Sequence, residues 1–139
     1  MYVDTSVLVK LYIEEPDSAG CDATISEATL VSSQLLYCEF RSALLGKESR
    51  GIIPASLRAE AWSEFERDIT SQRLCLVPLD DMLVRDAANL LNELHPNVPL
   101  RTLDALHLAT YLCIEAGPIF TKDKRMLQAA KWLGLPVAV

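Results

Sequence analysis

The chain has 139 residues, of which 50% are hydrophobic and 23% charged; this size and composition suit one folded domain and exclude a disordered or collagen-like protein. The net charge of −6 counts against a protein that coats nucleic acid through its overall charge. No apolar run approaches the length of a membrane span, and the N-terminus has no pattern of a secretory signal, so we expect a cytoplasmic protein without membrane attachment.

The predicted elements alternate short apolar strands with longer helices. Strands are predicted at residues 1–4, 29–32, 74–79, 118–121 and 135–139. Helices are predicted to start at Thr5-Ser6 and near Pro16, and to cover residues 34–51, 54–73, 80–94, 102–117 and 123–134. Strands separated by helices indicate an α/β fold. We therefore expect a single domain over residues 1–139, with a central, mostly parallel sheet flanked by helices in three layers, α/β/α.

The four cysteines are spaced too widely for a CxxC pair. They are Cys21, Cys38, Cys75 and Cys113, and each lies among apolar or helical neighbours. A zinc or redox site is therefore disfavoured, and we expect reduced, mostly buried thiols.

Two acidic residues follow predicted strands directly. Asp4 comes after Tyr2-Val3, and Asp123 comes just after residues 119–121. In a parallel sheet, ligands bind beyond the carboxyl ends of the strands, so both acids are candidates for a site.

Two further acids border the apolar stripe of a predicted helix, where acids are rare unless they are paired or bound to metal. Glu39 lies beside Phe40, and Asp104 lies four residues before Leu108. Carboxylates that converge on one pocket repel each other and must bind a proton or a cation. Because no Cys or His cluster accompanies them, the oxygen donors favour Mg²⁺ or Mn²⁺, and such a site suits phosphodiester hydrolysis.

These residues carry a resemblance to a known family. The segments are Val3-Asp4-Thr5-Ser6, Glu39 in its helix, residues 100–109 around Asp104, Thr121-Lys122-Asp123 and residues 133–137. In this order they resemble the PIN-domain ribonucleases, specifically the VapC-type toxins of toxin–antitoxin modules, over the whole chain.

The resemblance implies a metal-dependent endoribonuclease with Asp4, Glu39, Asp104 and Asp123 as its acidic quartet. We expect Asp4 and Asp104 to be the innermost ligands, since one ends the first predicted strand and the other faces it from a helix. It implies hydrolysis by a water activated by Mg²⁺ or Mn²⁺, which leaves 5′-phosphate and 3′-hydroxyl ends. Thr5, Ser6 and Thr121 would orient the carboxylates.

The resemblance also implies partners: an RNA substrate, a cognate antitoxin and a second copy of the chain in a homodimer. Four basic residues beside the acids are candidates for phosphate contacts: Arg101, Lys122, Lys124 and Arg125. A negative pocket should attract a cationic side chain, so we expect the antitoxin to insert an Arg or Lys toward the acids. The faces around Leu8, Leu11 and Tyr12 and around residues 44–53 are candidates for its groove.

One alternative function stays open at this point, and one further residue near the acids has two possible roles. A catalytically inactive module that keeps the fold to bind a partner would need no metal. His107, three residues after Asp104, lies on the same apolar face, and we interpret it as a satisfied core histidine rather than as a base.

Overall fold

The computed structural model describes residues 1–25 and 28–138, which form four strands and seven helices. The strands are β1 (Tyr2–Val3), β2 (Leu30–Ser33), β3 (Leu74–Val77) and β4 (Ile119–Phe120). The helices are α1 (Thr5–Tyr12), α2 (Ser18–Ile25), α3 (Leu35–Ser49), α4 (Ala55–Thr70), α5 (Asp81–Leu94), α6 (Thr102–Ile114) and α7 (Lys124–Trp132). Among these helices, none is both long and apolar enough to cross a membrane.

The strands form one parallel sheet in the order β3-β2-β1-β4. Tyr2 of β1 pairs with Val31 of β2 on one side and with Ile119 of β4 on the other. Because β1 and β4 are parallel neighbours, their carboxyl ends lie at the same edge of the sheet. This topology brings the residues that follow the two strands together.

The two residues of β1 point to opposite faces and belong to different hydrophobic clusters. Val3 packs in a cluster with Phe40, Phe65 and other residues of α1 to α4. Tyr2 packs in a second cluster with Leu108 and other residues of α5 to α7. Since each face of the sheet is covered by its own helices, the predicted three-layer α/β/α fold is confirmed.

Helix boundaries follow from caps and from the spacing of apolar residues. The Asp80 carboxylate accepts a hydrogen bond from the Leu83 N–H at 2.8 Å and begins α5, whose buried positions then recur at helical spacing. After α7, Gly134 takes a positive φ of 67°, which a glycine adopts without the Cβ clash, and it ends the helix as predicted.

The prediction of a last strand at residues 135–139 is wrong. Val137 forms a single parallel bridge with Ile119, and Val139 lies outside the described residues. Pro136 has no N–H with which to extend the ladder, and the partner strand β4 has only two residues. The segment therefore contributes one bridge at the sheet edge.

The expectation of mostly buried cysteines is also wrong, although all four are unpaired. Cys21 is buried, Cys75 is partly exposed, and Cys38 and Cys113 are exposed. On α3 the buried residues Leu36 and Phe40 are one turn apart, so Cys38, halfway between them, points to the other side of the helix.

Candidate active site

Asp4 links the end of β1 to the start of α1. Its Oδ1 accepts hydrogen bonds from the backbone N–H groups of Ser6 (3.0 Å) and Val7 (3.3 Å), and from the Ser6 hydroxyl. Asp4 is therefore the N-cap of α1, a position where the helix dipole also favours a negative charge. The sequence predicted a cap at Thr5-Ser6, one residue later.

Thr121 connects two of the predicted acids. Its hydroxyl donates to Asp4 Oδ2 and accepts from the Asp123 N–H at 3.0 Å. Asp123 in turn caps α7, because its Oδ1 accepts from the N–H groups of Arg125 (2.7 Å) and Met126 (3.1 Å). The ends of β1 and β4 therefore share one hydrogen-bond network.

Asp104 lies in the first turn of α6. Its Oδ2 accepts from the backbone N–H of Arg101, the N-cap of α6, at 3.1 Å. Burial raises the pKa of Asp104, and the negative charge of Asp123 raises it further. The hydrogen bond from Arg101 lowers this pKa but does not outweigh the two effects. Asp104 and Asp123 are thus close enough to repel each other.

Glu39 reaches the same region from α3. Its Oε2 accepts from the Thr5 hydroxyl and from His107 Nε2 at 2.7 Å. Burial alone would raise the pKa of Glu39, but the hydrogen bonds from His107 and Thr5 outweigh it and hold the pKa below its ordinary value. Glu39 is therefore held as a carboxylate.

The pKa of Asp4 is shifted in the opposite direction to that of Glu39. It is only 5% exposed, and burial raises its pKa although Ser6, Thr121 and Val7 donate to it. Asp4 is the most buried of the four acids, whereas Asp104 is half-buried. That Asp4 and Asp104 are the innermost metal ligands stays a prediction.

Three of the acids divide their oxygens in the same way. Asp104 accepts through Oδ2, Asp123 through Oδ1 and Glu39 through Oε2, and the second oxygen of each receives no hydrogen bond from the described residues. One oxygen thus fixes the side chain, and the other stays available to an external ligand.

This donor set fits a hard divalent cation in its chemistry, because carboxylate oxygens are what Mg²⁺ prefers. Within residues 1–25 and 28–138, however, no three Asp, Glu, His or Cys side chains are grouped closely enough to hold an ion together. The donors therefore suit an ion such as Mg²⁺, which usually keeps several water ligands and takes one or two carboxylates.

Comparison with known proteins places the chain in a family. The model of the PIN domain family matches residues 1–131. This chain belongs to the PIN-domain family. It is 36% identical over 140 residues to Ribonuclease VapC46 of Mycobacterium tuberculosis, an alignment that covers 99% of this chain and 95% of that protein. The predicted VapC-type family is thereby confirmed.

A solved structure supports the PIN fold independently. The crystal structure of Mycobacterium tuberculosis VapC20, a sarcin–ricin loop cleaving toxin, matches with a TM-score of 0.72 at 15% identity and covers 92% of this chain and 93% of that one. PIN-domain ribonucleases in general depend on divalent metal ions, and VapC toxins in general pair with antitoxins and act on RNA.

The basic residues of this PIN domain differ in what lies next to them. The charges of Arg125 and Arg101 both act on the Asp104 carboxylate, so these two side chains lie near the acids. Lys122 instead lies over the Phe120 ring, 5.2 Å from its centroid, and is exposed. Lys124, also exposed, is the first residue of α7.

Sequence reasoning missed two residues of this PIN-domain site. His107 donates to Glu39 through Nε2 and shares a second hydrogen bond with the Tyr2 hydroxyl through Nδ1, and both His107 and Tyr2 are buried. The prediction of a satisfied core histidine is confirmed by this burial and by the two hydrogen bonds, but the sequence did not show that one of them reaches an acid of the site.

Proposed function

We propose that this PIN-domain protein is a metal-dependent endoribonuclease and the toxin of a toxin–antitoxin pair. The observation that carries the proposal is the set of three carboxylates, Glu39, Asp104 and Asp123, beside the buried Asp4. Each of the three has one oxygen that receives no hydrogen bond from the described residues. Similarity over nearly the full chain to a protein named a ribonuclease supports it.

In this proposal Asp4, Glu39, Asp104 and Asp123 hold Mg²⁺ or Mn²⁺. When bound, such an ion lowers the pKa of a water molecule and stabilises negative charge on a phosphate. Asp4 supplies the most buried charge, and Thr121, Thr5 and Ser6 hold the carboxylates in place by the hydrogen bonds described above.

The basic residues have a separate role toward RNA. Arg101 and Arg125 lie beside Asp104 and would contact the phosphates that flank the cleaved bond, with Lys124 and Lys122 further along the backbone. Such contacts would bind RNA without specifying its sequence, which depends on how single-stranded loops present their bases.

The proposed partners are a cognate antitoxin and a second copy of the chain, in the cytoplasm. The free carboxylate oxygens of the site suit an arginine of the antitoxin, whose planar guanidinium can bridge two carboxylates. Leu8 and Leu44 are fully buried and so belong to the core rather than to a groove, whereas Leu11 and Tyr12 line an open cavity of about 440 Å³. A monomer in light scattering at micromolar concentration would contradict the homodimer.

The decisive experiment compares RNA cleavage by the wild type, Asp4→Asn and Asp80→Asn. Asp80 is a matched control, because it caps α5 as Asp4 caps α1 but follows β3, at the far end of the sheet from β4. We expect cleavage with Mg²⁺ or Mn²⁺ by the wild type and the control, none by Asp4→Asn, and products with 5′-phosphate and 3′-hydroxyl ends.

Products with 2′,3′-cyclic phosphate ends, or full activity in EDTA, would contradict the metal-dependent mechanism. The inactive binding module is a second candidate because no three of the described side chains are already grouped for a metal. If the protein is such a module, it should not bind Mn²⁺ in a calorimetric titration and should not cleave RNA. Both measurements can be made on one protein preparation.

A further inference from the structure

A chain of hydrogen bonds runs from β1 through α6 to α3 and ends on a predicted metal ligand. The Tyr2 hydroxyl lies 2.8 Å from His107 Nδ1, and His107 Nε2 lies 2.7 Å from Glu39 Oε2. Tyr2 is fully buried and His107 is 3% exposed, whereas the Glu39 side chain is 18% exposed. The chain therefore connects the interior of the protein to the edge of the site.

The chemistry of the three groups fixes which atom donates. A carboxylate only accepts, so Nε2 of His107 carries the hydrogen that bonds Glu39. At the other ring nitrogen, Nδ1, the partner is the Tyr2 hydroxyl, which keeps its hydrogen because burial raises the pKa of Tyr2. Each ring nitrogen then has one partner, and the ring can neither rotate nor change tautomer without losing a buried hydrogen bond.

Both donors to Glu39 act on the same oxygen. His107 and the Thr5 hydroxyl bond to Oε2, and Oε1 receives no hydrogen bond from the part of the chain that the structure describes. A carboxylate fixed through one oxygen by two donors on different helices presents its other oxygen in one orientation.

We propose that His107 is a positioning residue, which with Tyr2 fixes the Glu39 carboxylate so that Oε1 stays available to a divalent cation. This inference rests on the proposed function, since Glu39 is a metal ligand only there. Helix α6 thereby serves the site twice, because Asp104 and His107 lie one turn apart on the same face.

A purely structural histidine would affect folding stability without affecting metal affinity. The test therefore measures Mn²⁺ binding by the loss of the free-ion signal in electron paramagnetic resonance, together with kcat and KM for an RNA substrate and with thermal unfolding. His107→Leu removes both ring nitrogens, and His107→Gln keeps an amide that can donate to Glu39.

The tyrosine provides a matched pair of variants. Tyr2→Phe removes the hydroxyl that bonds His107, whereas Tyr111→Phe removes a hydroxyl that donates to the Gly117 carbonyl oxygen at 2.9 Å and touches no acid of the site. Both tyrosines are buried, and their rings contact each other. The two variants should thus cost similar stability.

We expect His107→Leu to weaken Mn²⁺ binding about 10- to 100-fold, the usual loss when a group that orients a metal ligand is removed. Its kcat should fall while KM for RNA changes little, and His107→Gln should recover most of both losses. Tyr2→Phe should weaken Mn²⁺ binding, and Tyr111→Phe should not. If His107→Leu does not fold, His107→Gln and the pair of tyrosine variants decide.

Wild-type Mn²⁺ affinity and kcat in a folded His107→Leu protein would overturn the inference, as would equal effects of the two tyrosine variants. If the wild type cleaves RNA and Glu39→Gln binds Mn²⁺ as tightly as the wild type does, the inference is overturned and the proposed function stands. A wild type that neither binds Mn²⁺ nor cleaves RNA would overturn both.

Discussion

Replacing Asp4 should separate its role as a helix cap from the effect of its charge. In Asp4→Asn the side-chain oxygen can still accept from Ser6 and Val7, as Oδ1 does in the wild type. In Asp4→Asn the NH2 group that replaces Oδ2 can no longer accept from the buried Thr121 hydroxyl but can donate to it, whereas in Asp4→Ala both this contact and the cap acceptor are lost. The two variants therefore differ in hydrogen bonding, while both remove the negative charge.

The expected free energies follow from these contacts. Asn and Asp are about equally good N-caps, so Asp4→Asn should change the free energy of unfolding by less than about 1 kcal/mol. Loss of the cap in Asp4→Ala costs about 0.5–2 kcal/mol, and the unsatisfied buried partners add about 1–3 kcal/mol. Together these make Asp4→Ala about 1.5–5 kcal/mol less stable than the wild type.

The pH dependence has a definite sign. Burial raises the pKa of Asp4 in the folded state above its value of about 3.9 in the unfolded chain. The folded wild type therefore binds more protons than the unfolded chain between these two pKa values, and it loses stability as the pH rises through that interval. Asp4→Asn lacks this loss, so its stability relative to the wild type should improve from pH 4 to pH 7.

Urea unfolding followed by tryptophan fluorescence in EDTA, at pH 4 and pH 7, measures both effects without metal. Equal destabilisation by Asn and Ala would show that Asp4 is not held by its cap. A difference between Asp4→Asn and the wild type that does not depend on pH would show that burial does not raise the pKa of Asp4 in the folded protein.

Three other substitutions test separate parts of the site. Asp104→Asn should abolish cleavage and leave the melting temperature in EDTA unchanged or higher, because burial and Asp123 disfavour its charge; a clear loss of stability would contradict this. The double variant Lys124→Ala with Arg125→Ala should weaken RNA binding and reduce the slope of log K against log salt by about 0.7 per lost phosphate contact. Its Mn²⁺ affinity should not change. An unchanged slope would show that these two side chains face solvent and do not contact phosphate. Thr121→Val should lower the free energy of unfolding by about 1–3 kcal/mol and reduce cleavage, and a fully active, equally stable variant would exclude its role in joining two acids.

The sheet was predictable because its signal is local. Short apolar runs separated by amphipathic helices predict parallel strands, and the structure has β1 and β4 as parallel neighbours. The position of Asp4 and Asp123 at one edge follows from that topology alone. The last segment was mispredicted because an apolar composition does not reveal that Pro136 and a two-residue partner strand limit the pairing to one bridge.

The links between elements were not predictable from one sequence. Glu39 and His107 are 68 residues apart, and Tyr2 and His107 are 105 residues apart. No periodicity relates residues at such separations, because which helix faces which strand depends on how the whole chain packs. The same limit explains why the sequence offered four basic residues as candidates for phosphate contacts without showing that Arg101 and Arg125 lie near Asp104.

The hydrogen bonds that each carboxylate accepts explain why a cluster of acids is compatible with a stable fold. A helix N-terminus stabilises a nearby negative charge, and Asp4, Asp104 and Asp123 each accept from backbone N–H groups at the start of a helix. Glu39, which lies within its helix, receives the same kind of support from His107 and Thr5 instead. Since every acid has its own donors, the site does not need a cation to fold, and a bound ion would add to interactions that are already present. Removal of metal should therefore stop cleavage without unfolding the protein, and a melting temperature that collapsed in EDTA would contradict this account of the site.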